Sequence, residues 1–379
     1  MKTLNTTVCL FLLAISSCTT NESGFKSAIV ESKEQIKINN LKLECIKLDS
    51  INTSSFGESL ILPDNNIAFI DKHFCRVSVF DTIGRFHQNY LGLGGAPNET
   101  QIGKIAAQTL LSDGRLVFFG YNLNFHIFKN FINDKIFILK RTCTDHSIDG
   151  NSETYTNQYT DMVCRNYKNK IYFNIYSEHP KFNYLEHTDK YLKKCYHLWE
   201  IDIDKQEDTR LLAKGYPESY SKDPKKHIIF MGICYDIDHE GNFYVCYDTD
   251  PYIYVYDNNF IPEKTFGIKG KGMNTDYLYI DNYKECRKNF RSERNNKGYY
   301  YWIEYIDETK LLFRSYKKNS KSEDGLQIYK DNVLIADIKV PKSFRVMGYI
   351  APYYYSYIIP LLEENDDSLI MYRFKINEL

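Results

Sequence analysis

The chain has 379 residues, with 48 basic and 49 acidic side chains and a net charge of -1. Nothing in that balance suggests a nucleic-acid surface. A hydrophobic content of 43%, with 33 Tyr and 23 Phe, supports a real core and favours strands over helices.

The first predicted element stands outside the fold. Lys2 precedes an apolar run, Val8–Ile15, too short to span a bilayer. The run ends in Ile15-Ser16-Ser17-Cys18, which resembles the lipobox of bacterial lipoproteins. The resemblance implies a signal peptide over residues 1–17 and a lipid on Cys18, making the membrane a partner through that lipid. An ordinary secretory signal with an unrelated cysteine is the alternative. Residues 18–38 are polar and aperiodic and read as a flexible, lipidated tether. Thr19 and Thr20 stand where an inner-membrane retention Asp would sit, and no dense acidic cluster follows. By resemblance, this implies an outer-membrane lipoprotein of the bacterial cell envelope, on the periplasmic face.

From residue 39 onward the chain repeats itself. Leu41–Leu48 alternates apolar and polar residues, as a half-buried strand does, and precedes the first full unit. Ser59–Leu62, the Pro63-Asp64-Asn65-Asn66 turn, Ile67–Asp71, Arg76–Asp81 and Ile83–Tyr90 form that unit. The second runs through Thr109–Leu111, Leu116–Gly120, Phe125–Phe128 and Lys135–Leu139. In the third, Asp161–Arg165 and Lys170–Asn174 are followed by an insertion, Ser177–Tyr196, and then by His197–Asp202 and Thr209–Ala213. The fourth has Gly232–Ile237, Phe243–Asp248 and Ile253–Asp257, with a polar, helix-prone insertion over Asp276–Lys297. The fifth spans Gly298–Tyr305, Lys310–Tyr316, Gly325–Tyr329 and Val333–Ile338. The sixth has three strands, Val346–Ile350, Tyr355–Leu362 and Ser368–Ile376, so Leu41–Leu48 is expected to supply the fourth and close a ring. A period of roughly 55 residues suits blades of four strands.

Two copies carry the repeat most clearly. Val77–Asp81 leads to Gly92-Leu93-Gly94-Gly95, and Tyr252–Asp257 leads to Gly267 and Gly272. With Asp238-x-x-Gly241-Asn242-x-Tyr244-Val245 ahead of Ile253-x-Val255-Tyr256-Asp257, the chain resembles six-bladed TolB-like and NHL-repeat-like β-propeller lipoproteins of Bacteroidetes-type envelopes. The resemblance covers residues 39–379. It implies an all-β, six-bladed propeller of four-stranded antiparallel blades. The expected function is an envelope module that binds a protein, peptide or glycan ligand without catalysis. The alternatives are a Ca²⁺-dependent lactonase-like hydrolase and a carbohydrate-binding component of glycan uptake. Insertions blur the blade boundaries over 140–230 and 274–340.

No catalytic motif stands out. H-E-x-x-H and G-x-S-x-G are absent, and no two cysteines form C-x-x-C. Asp71, His73, Asp248 and Asp250 follow inner strands and are candidate ligand residues at a propeller mouth. Asp236-x-Asp238 and Asp248-x-Asp250 could offer oxygens to Ca²⁺, although turn chemistry explains them as well and no metal residue is assigned. Tyr299–Trp302 and Tyr353–Tyr357 either line a sugar- or peptide-binding surface or pack between blades. A three-residue hairpin loop at His239–Gly241 would set Cys234 opposite Cys246, either as a disulfide or as two buried thiols.

Overall fold

The computed structural model describes residues 28–29, 32–140, 153–156, 162–178, 188–361 and 368–376. The chain forms six sheets, each built on four antiparallel strands. Blade 1 comprises Gly57–Ile61, Ile67–Asp71, Arg76–Phe80 and Phe86–Leu91, and blade 2 comprises Ile105–Leu110, Leu116–Gly120, Asn124–Lys129 and Ile132–Ile138. Blade 3 has Cys164–Tyr167, Lys170–Glu178, Tyr196–Asp202 and Glu207–Lys214; blade 4 has Ile233–Ile237, Phe243–Tyr247, Ile253–Tyr256 and Pro262–Phe266. Blade 5 has Tyr299–Ile306, Leu311–Lys317, Asp324–Lys330 and Val333–Val340. Blade 6 takes Val346–Ile350, Tyr353–Ser356 and Leu369–Phe374 from the C-terminal end and Glu44–Lys47 from the N-terminal end.

The first strands of successive blades pack side by side from blade 2 through blade 6 and back to blade 1. Between blades 1 and 2 the ring is tied by Gln108 Nε2 donating to Glu58 Oε2 at 2.5 Å. The molecule is therefore a six-bladed β-propeller closed by its own N-terminal strand. Tyr372 faces Cys45 and Met371 faces Ile46 across that closure, as the alternation in Leu41–Leu48 anticipated.

Local chemistry explains the repeat. In blade 1 the Asp81 carboxylate accepts from the backbone N–H of Ile83 and Arg85, both at 2.9 Å. In blade 4 Asp257 accepts from Asn259 and Ile261, at 2.9 and 2.7 Å. Each Asp folds the chain back into the outer strand by satisfying donors that a tight turn would leave bare. Asp238 does the same for the hairpin at Gly241, whose φ of 92° lies in the left-handed region. That hairpin sets the register Cys234↔Cys246.

The N-terminal segment departs from expectation. Residues 33–38 belong to the stretch read above as tether, yet Lys33–Ile38 forms a fifth strand parallel to Val333–Val340 on blade 5. Ala28–Ile29 does likewise on Pro262–Phe266 of blade 4, and Ser32 Oγ accepts from Gly267 N at 3.0 Å. One segment thus straps the outer edges of blades 4, 5 and 6 in turn. The physical reason is that an outer strand offers a row of unpaired N–H and C=O groups. Backbone pairing needs no apolar face, so Lys33–Ile38 gave no alternating signal: it is almost wholly exposed.

Two connections between blades carry helices. The expected one is Tyr283–Asn296, between blades 4 and 5. Asn282 caps it by accepting from Glu285 N at 3.1 Å, and Glu285 reaches back to Asp281 N at 3.0 Å. Residues 215–232, between blades 3 and 4, add the short turns Glu218–Lys222, Pro224–His227 and Ile228–Phe230, which the sequence reading did not foresee. Thr188–Lys194 is a short helix in the earlier insertion. Cys18 lies outside the described residues.

Candidate functional site

Each inner strand starts, and each second strand ends, at the same face of the ring: Gly57 opposes Asp71, Ile233 opposes Tyr247, and Tyr299 opposes Lys317. On that face, between blades 4 and 6, the structure encloses a cavity of about 950 Å³. Its floor is made by Ile233, Cys234, Tyr301 and Trp302 from inner strands. Its walls carry Ser292, Asn295 and Asn296 from helix Tyr283–Asn296, and Ser320, Lys342 and Ser343 from the rims of blades 5 and 6.

The other helical connection, residues 215–232, backs this wall from outside the cavity. Ile280 N donates to Lys225 O at 3.0 Å, and Arg294 Nη1 donates to Ile229 O at 3.3 Å. Arg294 lies over the rings of Phe230 and Tyr299, at 5.6 and 4.0 Å. Its charge is met by Asp248, whose Oδ2 accepts from Nη1 at 2.6 Å. Burial pushes the Asp248 carboxyl above the usual carboxylate range, and Arg294 opposes that push. The other oxygen, Oδ1, is buried and finds no hydrogen-bond partner among the described residues.

Lys317 also lines the cavity, and among the described residues it has no ion pair. Partial burial pushes its ammonium below the ordinary range; Asp324 opposes this, while Arg294 and Lys342 add to it by repulsion. Asp324 itself accepts from Tyr301 OH at 3.0 Å and Ser343 N at 2.8 Å, so it braces the floor against the rim.

Beneath the floor the axis is filled by ion pairs. Arg165 Nη2 meets Glu304 Oε2 at 2.6 Å, and Arg165 Nε lies 3.1 Å from Asp236 Oδ1. Arg165 and Arg345 both lie over the Trp302 ring, at 5.0 and 4.9 Å. Arg345 is 3.7 Å from Glu58, which Lys72 approaches at 3.4 Å. Burial pushes Glu304 up to about 8, with Arg165 pulling down and Asp236 pushing up. Outward from the axis, on the second strand of blade 5, fully buried Arg314 donates to Pro251 O and Ile268 O at 2.8 and 2.9 Å, tying blade 4 to blade 5.

The residues singled out from the sequence fall on this face, but in other roles. The Asp71 carboxylate is occupied by Thr53 Oγ1, Ser54 N and Oγ, His73 N and Phe74 N, all within 3.0 Å. His73 is exposed and stands against Phe74 at 5.8 Å between centroids. Asp250 is buried, taking Ser219 Oγ and Tyr252 N. None of these three borders the cavity, whereas Asp248 backs it through Arg294. Cys234 and Cys246 face each other as free thiols, sulphurs 2.8 Å apart. Of the tyrosine runs, Tyr299, Tyr301 and Trp302 border the cavity, while Tyr300, Tyr354 and Tyr355 are buried between strands.

The donor set does not suit Ca²⁺. The carboxylates converging on the axis are Glu58, Asp236 and Glu304, and each is matched by Arg165, Arg345 or Lys72. A divalent cation there would face guanidinium groups at contact distance, not a cage of oxygens. Asp238 is consumed by its turn and by Tyr244 OH at 3.2 Å.

No family model matches the chain, and no curated relative matches it. Solved structures do share its shape. One is a member of the DUF4221 family from Bacteroides vulgatus, at 12% identity and a TM-score of 0.62, covering 89% of this chain and 97% of that one. Another is a Bacteroides fragilis protein named as exported, at 13% identity and a TM-score of 0.52, covering 91% of this chain and 99% of that one. At such identities the likeness is one of fold: this chain is similar, over nearly its whole length, to propeller proteins of Bacteroides.

Proposed function

We propose that the protein is an exported, lipid-anchored recognition module of the bacterial envelope, which binds its ligand in the cavity between blades 4 and 6. The observation that carries this reading is the cavity itself. It is large enough for a small-molecule ligand. It is walled on one side by helix Tyr283–Asn296 and lined by cations, hydroxyls and amides around the single carboxylate of Asp324. The Ile15-Ser16-Ser17-Cys18 sequence supports lipidation at Cys18 and residence at the outer membrane, facing the periplasm. The Asp-turn grammar of blades 1 and 4 supports kinship with NHL-type propellers.

Two measurements test this reading. Metabolic labelling with a fatty acid should mark the wild-type protein and not Cys18→Ser, which should leave the membrane fraction. Native mass spectrometry of the full-length protein from envelope extracts, paired with hydrogen exchange, should find a small adduct that protects Tyr299–Trp302. Protection confined to another face would refute the site while sparing the anchor.

A further inference from the structure

We infer that the cavity between blades 4 and 6 selects an anion carried on a hydroxylated ring, that is, an acidic saccharide bearing carboxylate or sulfate. The inference deepens the recognition role above and rests on it. Charge carries it first. Lys317, Lys342, Arg294 and Arg345 all line the cavity, against the single carboxylate of Asp324. Arg294 is matched from behind by Asp248, and Glu58 is shared between Arg345 and Lys72. With the ion-paired layer beneath counted in full, Lys72 and Arg165 bring the cations to six against five carboxylates, Asp324, Asp248, Glu58, Asp236 and Glu304, on a molecule whose overall net charge is -1. The excess is concentrated on the two lysines of the rim. Lys342, exposed on the rim, donates from Nζ to Ser320 O at 2.8 Å, and Lys317, which among the described residues makes no ion pair, is half buried in the wall. A cation kept in a concave, poorly solvated wall without a partner costs free energy unless an anion arrives.

The lining favours a saccharide over a peptide. Ser292, Asn295, Asn296, Ser320 and Ser343 offer donors and acceptors around the rim, suited to ring hydroxyls. An acidic peptide would want apolar pockets for its side chains or an open sheet edge to pair with. Here the largest aromatic of the floor, Trp302, already lies under two guanidinium groups, and the strand edges nearest the cavity are the inner ones, packed blade against blade.

The test is titration of the full-length chain with a galacturonic acid oligosaccharide, its methyl ester, a sulfated disaccharide and a glutamate-rich peptide, at low and high salt. Hydrogen exchange at Tyr299–Trp302 serves as the site readout. The acid or the sulfated sugar should bind about tenfold or more tightly than the neutral ester, weaken with salt, and protect the site. Lys317→Met, which keeps the packed stem, should lose about the same factor. Equal binding of acid and ester, or preference for the peptide, with the site protected, would overturn the acidic saccharide and leave the recognition role standing. No protection of the site by any probe would overturn both. The acid-against-ester comparison on unaltered protein decides the matter even where a lysine variant fails to fold.

Discussion

Blades 1 and 4 are built from the same repeat and used differently. In both, a glycine opens the inner strand and an aspartate stands across from it, Gly57 with Asp71 and Gly232 with Asp248. At the first position the carboxylate folds inward on its own loop, taking donors from residues 53 to 74. At the second it reaches 46 residues along the chain to Arg294. The connection before blade 1, residues 48–56, carries no helix, and its Asp braces a turn; the connection after blade 4 brings a cation to the same spot. Repeat geometry thus supplies a carboxylate at the mouth, and the inserted segment decides whether it becomes a brace or half of a site.

The sharpest way to break this comparison is to neutralise each Asp. Asp248→Asn strands a buried guanidinium and should cost about 3–5 kcal/mol in urea unfolding. It should also speed hydrogen exchange in residues 283–299. Asp71→Asn keeps an acceptor and should cost ~1–3 kcal/mol, with faster exchange confined to residues 53–57. Equal costs, or a disturbed mouth in Asp71→Asn, would abolish the distinction.

A second contrast sets the axis against the rim of blade 3. Glu304, pushed up to about 8 by burial, contributes stability that is full below its ordinary value of 4.5 and is lost as pH rises towards 8, by up to about 1.4 kcal/mol per pH unit. Glu200 is buried too, but Arg210, Lys170 and Thr209 donate to it and hold it down at about 2, so its contribution is lost as pH falls from 4.5 towards 2. Glu304→Gln should flatten the alkaline side of the stability profile and leave the acid side alone. A Glu304→Gln profile parallel to wild type would sink the assignment.

Blade 4 also differs from blade 1 in carrying Cys234 and Cys246 where blade 1 has Ser59 and Phe69. In an oxidising envelope the two thiols should join, and a non-reduced digest should yield the linked peptides; bridging residues 12 apart is worth about 2–3 kcal/mol over the reduced protein. Recovery of both as free thiols would settle the pair as packing. The smallest effect concerns the strap. Gln35→Pro places a fixed φ inside the fifth strand of blade 5, next to its paired residues Lys33 and Glu34, and should cost ~1 kcal/mol. Exchange should quicken in Val333–Val340 and stay unchanged in Phe86–Leu91 of blade 1, an outer strand outside the strap's path.

What the sequence determined by itself is whatever is held by neighbours in sequence. Alternation marks strands, and Asp and Gly mark turns; these interactions span a few residues and repeat from blade to blade. Even the ring closure was legible, because a sixth unit one strand short and an unused strand at the start demand each other. The strap was not, because backbone pairing at an edge leaves no apolar period. Nor was the site. Arg294, Lys317, Lys342 and Arg345 are ordinary surface charges in the sequence, one in an insertion, one at a strand end and two in the connection between blades 5 and 6. Only the tertiary structure decides that they face one cavity, because closing a ring brings blades 4, 5 and 6 round a shared axis and gathers their positive charges in one concavity.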